Sequence, residues 1–363
     1  MSLVKRATQK SKKPESQEAQ ARLRQRMSEH GLNTPLYVLG ANVDSLPWLS
    51  LLNIQAVIDD FLPASSTVQG KPVICMGDVP EGALVINCVT NSKPATAMRR
   101  LEAKTRAEIY YGADLAEIFS AILPVYGFVS ETRQSISTHA AQWETLYDSL
   151  SDTHSKSTME DIIAYRLSGD PRVLGAYAYR PQEQYFEDFL DLSNEIFVDG
   201  GAYDGETTRL FLAKYPNCQR VHLFEPDPEN FSRSIDRLNG MSQVVFHPVG
   251  LSDAPGELRF QVGDGSASVV AETGDMSIAV DTIDQRASDA TFIKLDLEGW
   301  ELSALKGAER TLRENKPKLA IGAYHQPDDF LRIVRWVSTI RQDYKISLRH
   351  YTESWTETVL YFY

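Results

Sequence analysis

Two carboxylates in the chain each follow an apolar, β-forming segment. Asp199 ends the segment Ile196–Asp199, and Glu225 ends the next such segment. A glycine-rich turn, Gly200–Gly205, lies between them, and glycine lets the backbone adopt positive φ and lets a ligand approach closely. The carboxyl ends of neighbouring parallel strands meet at one edge of a sheet. We therefore expect Asp199, the turn and Glu225 to line one ligand site.

The type and spacing of these residues favour a nucleoside ligand. A carboxylate after the second strand accepts hydrogen bonds from the two ribose hydroxyls. The glycines do not follow the G-x-G-x-x-G spacing that binds a pyrophosphate. S-adenosylmethionine fits best, because it has a ribose, no phosphates, and an amino-acid moiety that Asp199 and the turn amides can hold. The alternative is an ordinary α/β turn beside a solvent-exposed Glu225.

A second charged segment is Phe292–Glu301. If it is a continuous strand, Lys294, Asp296 and Glu298 share one face, and three charges in a row are costly to bury without partners or a ligand. This indicates a functional role, whereas Glu301 is placed to favour the start of the following helix. His325 ends a later strand, where it is either a general base or a neighbour of the next helix start.

Alternating β and α patterns from residue 191 to 363 must position these side chains. Five β/α units followed by two strands in hairpin order predict a seven-stranded sheet. Short β-like pieces in residues 257–282 predict an antiparallel ribbon beside the site. The domain is therefore expected to be α/β, and the third strand end, Ser252 and Asp253, is placed to contact an adenine.

Three further regions precede this domain. Residues 1–33, with eight Lys/Arg against three Glu, predict a basic, disordered tail. Residues 34–125 predict a smaller Rossmann-like α/β domain of about four parallel strands. Residues 126–190 predict a helical connector, and the Tyr/Arg-rich stretch Arg172–Tyr185 is either a substrate lid or a packed loop. The helices expected around the connector are Ala107–Leu123, Gln134–Leu150 and Thr158–Leu167.

Composition restricts the partners. A net charge of −12 argues against nucleic acid as the main partner, because that binding needs clustered cations. The three cysteines are scattered and suit a reducing compartment. No apolar run approaches membrane-spanning length, so we expect a cytoplasmic protein. The oligomeric state is not determined by these features.

The domain formed by residues 191–363 resembles the FkbM family of S-adenosylmethionine-dependent methyltransferases. The matching segments are Val198–Gly205, Phe224–Asp227, Gly250–Asp253, Val280–Asp284, Ile293–Glu301 and Leu305–Ala308. The resemblance implies a seven-stranded class I methyltransferase sheet and O-methyl transfer to hydroxyls of sugars or natural products. Two departures, Tyr203 in place of a small polar residue and Ala323–His325 in place of a segment with glutamate, concern the substrate more than the cofactor.

The resemblance and the strand-end pattern together assign the site. The residues expected to contact the cofactor are Asp199, Gly200, Gly201, Ala202, Tyr203, Gly205, Glu225, Pro226, Ser252 and Asp253. We expect Asp296 to act as the base or to orient the acceptor, with Lys294 and Glu298 fixing its charge and His325 as the alternative base. Asp296 and Glu298 could hold Mg²⁺, but with no third ligand evident we predict no metal site. An NAD-dependent oxidoreductase and a non-catalytic scaffold remain the alternative functions.

Overall fold

The structure is a computed structural model that describes residues 1–40, 42, 46–63, 65–91, 93–261, 269–270 and 276–363. The chain divides into two compact units. The first comprises Met1–Tyr147, Ser157–Tyr179 and Tyr351–Thr356, and the second comprises Asp148–Lys156, Arg180–His350 and Glu357–Tyr363. The expected connector, residues 126–190, is thus shared between the two units. None of the described helices is long and apolar enough to span a membrane.

The first unit is a six-stranded sheet with helices. Its strands are β1 (Leu36–Leu39), β2 (Ile54–Ile58), β3 (Thr67–Val68), β4 (Lys71–Ile74), β5 (Leu84–Asn87) and β6 (Glu108–Tyr111). The strand order is β3-β4-β2-β1-β5-β6, in which all neighbours except β3 and β4 pair in parallel. The parallel sheet expected from the sequence is confirmed, with five parallel strands rather than about four.

Among the described residues, seven α-helices belong wholly or mainly to the first unit. They are α1 (Leu3–Lys10), α2 (Pro14–Arg26), α3 (Leu46–Leu51), α4 (Pro94–Glu102), α5 (Gly112–Ile118), α6 (Gly127–Ser149) and α7 (Thr153–Ser168). The helices expected over Gln134–Leu150 and Thr158–Leu167 are confirmed as parts of α6 and α7. The helix expected over Ala107–Leu123 is wrong in its first part, because Glu108–Tyr111 pairs with β5 as a strand before α5 begins.

The first thirty residues differ from the expected disordered tail. Helices α1 and α2 bury apolar side chains, and Ala19, Leu23 and Met27, spaced by one helical turn, join the same core cluster as Trp48 of α3. The basic residues occupy the remaining faces of these helices. A polar composition therefore concealed a narrow apolar stripe sufficient for packing.

The second unit holds the seven-stranded sheet. Its first strands and helices are β7 (Ile196–Gly200), α8 (Glu206–Lys214), β8 (Arg220–Phe224), α9 (Pro228–Arg237) and β9 (Val244–His247). After the ribbon come α10 (Ile283–Arg286), β14 (Phe292–Leu295), α11 (Glu301–Lys306), α12 (Glu309–Asn315), β15 (Lys318–Gly322), α13 (Asp329–Ile340), β16 (Ile346–His350) and β17 (Thr358–Phe362). The order β16-β17-β15-β14-β7-β8-β9, with β16 and β17 antiparallel, confirms the predicted seven strands.

A small second sheet accompanies it. Its strands are β10 (Gly250–Leu251), β11 (Gly256–Gln261), β12 (Val269–Val270) and β13 (Met276–Asp281). Strand β11 pairs antiparallel with β12 and β13, which confirms the predicted ribbon; Ser268 and the other residues between these strands lie outside the described ones. Buried aromatic rings form much of the main core, including Phe197 stacked on Phe292 at 4.9 Å.

Candidate active site

The glycine turn after β7 lies so close to the segment that follows β14 that a side chain at Gly201 would clash with it. Gly201 has φ +71°, and a Cβ there would lie 2.0 Å from the carbonyl oxygen of Asp296. Gly205, with φ +79°, directly precedes α8, and its missing side chain faces Ser234 and Leu238 of the next helix. These positions therefore require glycine for both conformation and space.

The amides of this turn are already hydrogen-bonded within the protein. Gly201 and Ala202 donate to the carbonyl of Phe224, and Gly205 donates to the carbonyl of Ala202. The backbone N–H of Tyr203 donates to Glu225 over 2.8 Å. The turn therefore contributes shape and close approach rather than the free amide donors that the sequence suggested.

Asp199 is fully buried and paired with Lys294. The Lys294 ammonium lies 3.1 Å from Asp199 Oδ1 and donates to the carbonyls of Gly200 (3.0 Å) and Gly201 (2.7 Å). The hydroxyl of Thr208 donates to the other Asp199 oxygen over 2.7 Å. These contacts occupy Asp199 inside the fold, so this ion pair holds the glycine turn in place.

Glu225 lies at the carboxyl edge of the sheet, directly after β8. It is 6% exposed, and its two oxygens accept hydrogen bonds from the backbone N–H groups of Tyr203 (2.8 Å) and Asp227 (2.9 Å). Burial raises the pKa of Glu225 to about 7, although these two hydrogen bonds act in the opposite direction. Its position, directly after β8, is the one that the sequence predicted.

A cleft of about 850 Å³, partly open to solvent, runs along this edge. Gly201, Tyr203, Glu225 and Pro226 line it, and the predicted Asp199, Gly200, Ala202, Gly205, Ser252 and Asp253 are not among the described residues that do. Its apolar lining includes Phe224, Leu251, Leu258, Ile278, Val280, Leu297 and Trp300. A mainly apolar wall with a few polar groups is typical of small-molecule sites.

Ser252 and Asp253, the residues predicted at the third strand end, border the cleft only through a neighbouring side chain. The buried hydroxyl of Ser252 accepts a hydrogen bond from the Trp300 indole N–H over 3.2 Å, while Asp253 is exposed. Ser252, which we expected to contact an adenine, does not line the cleft, whereas Leu251 and Trp300 do. Trp300 lies in the segment Ile293–Glu301, but the sequence pattern predicted no ligand contact for it.

Asp296 lies directly after β14 and is held by two tyrosines. Tyr185 donates to one carboxylate oxygen over 2.6 Å, and Tyr324 donates to the other over 3.0 Å. Burial opposes ionisation, but the charges of His325 and Lys294 and these hydrogen bonds leave the pKa of Asp296 below its usual value. Of the Tyr/Arg-rich stretch before the domain, Tyr185 is the residue that reaches this carboxylate, as a buried partner rather than as a lid.

The expected charged face of a strand does not form as predicted. Strand β14 ends at Leu295, and the chain then turns, so that Glu298 adopts φ +50°. Within β14, Lys294 pairs with Asp199 of the neighbouring strand β7, whereas Glu298, beyond the turn, faces His325. The period-2 argument is wrong beyond Leu295, because a strand-end turn changes the direction of the side chains.

His325 lies among three carboxylates. Its Nε2 is 3.4 Å from Asp296 Oδ1 and 3.4 Å from Glu298 Oε2, and its Nδ1 is 3.0 Å from Glu301 Oε1. Burial lowers the tendency of the ring to be charged, but the three acids outweigh it and raise the pKa of His325 to about 10. A ring protonated at neutral pH cannot accept a proton, which removes the support for His325 as the alternative base.

Glu301 has a role beyond the helix start expected for it. Its buried carboxylate accepts hydrogen bonds from the backbone N–H groups of Leu297 (2.6 Å) and Gly299 (3.3 Å), and thereby closes the turn after β14. It also pairs with His325, which sequence position alone did not indicate. Glu357, another unpredicted neighbour, accepts hydrogen bonds from Gln184 and Tyr324.

The sheet order and the cleft at its carboxyl edge define a class I methyltransferase domain with a Rossmann-like fold. A family model described as the methyltransferase FkbM domain matches residues 199–346. This part of the chain is therefore similar to the FkbM methyltransferase family, as the sequence motifs indicated.

Two relatives show the extent of the similarity. The 2-O-methyltransferase NoeI of Sinorhizobium fredii (strain NBRC 101917 / NGR234) is 25% identical over 153 residues, covering 35% of this chain and 63% of that protein. The chain thus matches less than two thirds of that relative's length. The crystal structure of a methyltransferase FkbM from Methylobacillus flagellatus KT is similar over 96% of this chain and 98% of its own, with 25% identity and a TM-score of 0.71.

Proposed function

We propose that the protein is an S-adenosylmethionine-dependent O-methyltransferase that acts on a hydroxyl of a sugar, glycan or natural product. The observation that carries this proposal is the placement of Glu225 and Gly201 at one cleft, on the adjacent strand ends of β8 and β7. The name of the NoeI relative, a 2-O-methyltransferase, supports oxygen as the accepting atom.

The cleft residues fit the cofactor in three ways. Glu225 offers carboxylate lone pairs to the two ribose hydroxyls, since each of its oxygens uses one lone pair for a backbone N–H. Gly201 lets the turn after β7 pack directly against the backbone of Asp296, which gives the cleft its shape there. Leu251 and Trp300 provide apolar surface for an adenine ring. When bound, S-adenosylmethionine supplies an electrophilic methyl group on sulfur.

Asp296 is our candidate for the residue that positions the acceptor hydroxyl. It lines the cleft, and the hydrogen bonds from Tyr185 and Tyr324 fix its carboxylate while leaving it ionised. An oriented carboxylate accepts a hydrogen bond from the acceptor hydroxyl, which aligns the oxygen and draws its proton away. The low basicity of Asp296 makes orientation the larger of these two contributions.

A titration of the purified protein with S-adenosylhomocysteine, with NAD in parallel, tests the cofactor. We expect micromolar binding of the thioether that Glu225→Ala abolishes, and unchanged binding in the matched control Glu229→Ala, whose carboxylate is exposed and paired with Arg233. Binding of NAD without the thioether would instead favour the oxidoreductase alternative.

Turnover tests the second half of the proposal. S-adenosylhomocysteine release is measured over a panel of sugars and hydroxylated natural products, with wild type and Asp296→Asn. We expect the variant to lose most of its turnover while it retains cofactor binding. An active enzyme whose turnover survives Asp296→Asn would refute the role of Asp296, and a cofactor-binding protein inactive on the whole panel would favour a scaffold function.

A further inference from the structure

A closed ring of hydrogen bonds joins Asp296, at the cleft, to Glu357. Gln184 donates to Glu357 over 2.7 Å and to the hydroxyl of Tyr185 over 2.8 Å. Tyr185 donates in turn to Asp296 over 2.6 Å. On the other side of the ring, the hydroxyl of Tyr324 lies 3.0 Å from Asp296 Oδ1 and 3.2 Å from Glu357 Oε2. All five residues belong to the second unit.

Tyr324 cannot donate to both of its carboxylate neighbours at once, because a tyrosine hydroxyl has a single hydrogen. The amide of Gln184 has two hydrogens and can donate to both of its partners. Tyr185 accepts from Gln184 and so directs its own hydrogen to Asp296. The two carboxylates therefore compete for the hydrogen of Tyr324.

The backbone holds two members of this ring in an uncommon conformation. Tyr185 has φ +75° and Glu357 has φ +60°, in the left-handed region that residues with a Cβ rarely adopt. Such a conformation persists only where the surrounding structure fixes it, and it is common at functional sites. The fold thus maintains the positions of these two side chains against a local backbone preference.

We propose that Glu357 is a positioning residue that sets, through Tyr324, how strongly Asp296 attracts the proton of the acceptor hydroxyl. A hydrogen bond donated to a carboxylate stabilises its charge and lowers its basicity. An ionised Glu357 draws the Tyr324 hydrogen to itself and leaves Asp296 held by Tyr185. A protonated Glu357 releases Tyr324 to Asp296, whose basicity falls. This inference rests on the proposed function, in which Asp296 binds the acceptor.

The surroundings of Glu357 make its ionisation depend on pH near neutrality. Burial and the negative charge of Asp296 raise the pKa of Glu357 to about 7, although the hydrogen bond from Gln184 acts in the opposite direction. The titratable side chains of the second unit that face Glu357 are Asp296 and Glu298 after β14, Tyr324 and His325 after β15, and Tyr185 before β7. The arrangement with Glu357 ionised therefore becomes populated as the pH rises through 7.

The first test follows the Tyr324 hydroxyl by NMR, in protein labelled with ¹³C at the tyrosine ring carbon that bears the hydroxyl. We expect the Tyr324 resonance, assigned with Tyr324→Phe, to shift between pH 6 and pH 8 as the hydroxyl changes its acceptor. The shift should be lost in Glu357→Gln. It should persist in the matched control Glu298→Gln, because the Glu298 carboxylate, of similarly raised pKa, faces His325 instead. A resonance that stays fixed in the wild type, or that moves equally in Glu357→Gln, would overturn the proposal.

Turnover gives the second test, at saturating S-adenosylmethionine so that the titration of Glu225 does not contribute. We expect kcat to rise with pH through 7 in the wild type. Glu357→Gln should lower kcat at pH 8 about tenfold, because Tyr324 then donates to Asp296 at every pH. The double variant Glu357→Gln/Tyr324→Phe removes that donor and should regain most of the lost kcat. A further loss in the double variant would show that Glu357 has a structural role only.

Binding of S-adenosylhomocysteine separates this inference from the proposed function. We expect wild-type affinity in Glu357→Gln and Tyr324→Phe, since neither residue lines the cleft among the described residues. A Glu357-dependent Tyr324 shift in a protein that does not bind the thioether would refute the proposed function alone. Thioether binding without that shift would refute this inference alone.

Discussion

The two units contain parallel sheets built in the same strand order but with different strand ends. In the first unit the parallel strands run β4-β2-β1-β5-β6, and in the second they run β9-β8-β7-β14-β15. In both series the parallel strand that comes first along the chain is central, and the one that comes third is at one end of the series. Both first strands are followed by a glycine with positive φ, Gly40 and Gly201, and both second strands by acids. In each unit, therefore, a glycine and an acid follow neighbouring parallel strands at the carboxyl edge of the sheet.

The acids at these edges differ in their partners. In the first unit, Asp60 accepts hydrogen bonds from Lys104 and the Met76 N–H, each over 2.8 Å, and the Lys104 hydrogen bond contributes most to lowering its pKa. In the second unit, none of the described residues places a cationic side chain in a hydrogen bond or ion pair with Glu225, and burial raises the pKa of Glu225. A buried carboxylate without a cation beside a cleft is available to a ligand, whereas Asp60 is already neutralised.

The largest expected difference concerns the lysines. Lys294→Met should lower the free energy of unfolding of the second unit by about 3–5 kcal/mol, because it leaves Asp199 buried and unpaired. Lys104→Met, at a partly exposed pair with Asp60, should cost less than about 1 kcal/mol. Urea unfolding measures both. Recovery of stability in Asp199→Leu/Lys294→Met would support the pairing, and equal losses in the two single variants would contradict the contrast.

The glycines give the next largest effect. Gly201→Ala should cost about 2–4 kcal/mol and abolish S-adenosylhomocysteine binding, because its Cβ would meet the Asp296 carbonyl and the backbone must move. Gly40→Ala should cost about 1–2 kcal/mol, since its Cβ would meet the side chain of Val89, 2.7 Å away. Thermal unfolding with and without the thioether distinguishes them. Retained thioether binding in Gly201→Ala would show that the turn does not shape the cofactor site.

Glu225→Gln tests the charge of the carboxylate at constant size. Because hydrogen bonds to a charged group contribute about 1.5–3 kcal/mol each, losing the charge should weaken thioether binding by about tenfold or more. Asp60→Asn is the matched change in the first unit and should leave that affinity unchanged. Calorimetry measures both, and an equal effect of the two variants would place the cofactor contact elsewhere.

The pH dependence of thioether binding is the smallest predicted effect. The raised pKa of Glu225, about 7, means that the free protein loses this proton only near neutrality. If the ribose requires the carboxylate, affinity should rise about tenfold between pH 6 and pH 8. The same raised pKa favours the folded state at low pH, and this stability is lost as the pH rises through 7. A pH-independent affinity in Glu225→Gln is the control, and a wild-type affinity that falls with pH would contradict the assignment.

Most of the fold could be predicted from the sequence because its signals are local. The seven strands, the ribbon, the glycine turn and the position of Glu225 follow from apolar segments, glycines and acids within a few residues of one another. Where two local patterns compete, the prediction was wrong: Glu108–Tyr111 has a helix-compatible sequence but pairs with β5.

The roles of the charged residues were decided by tertiary structure. Sequence spacing placed Lys294 beside Asp296, but Lys294 lies within β14, in register with Asp199 of the neighbouring strand β7, and pairs with it. His325 is near Glu298 and Glu301 only because β15 lies next to β14, which brings residues far apart in sequence into contact. Sequence by itself determined which elements form and where their acidic ends lie. Packing decided which acids are neutralised inside the protein and which remain for a ligand, since burial and pairing depend on distant residues.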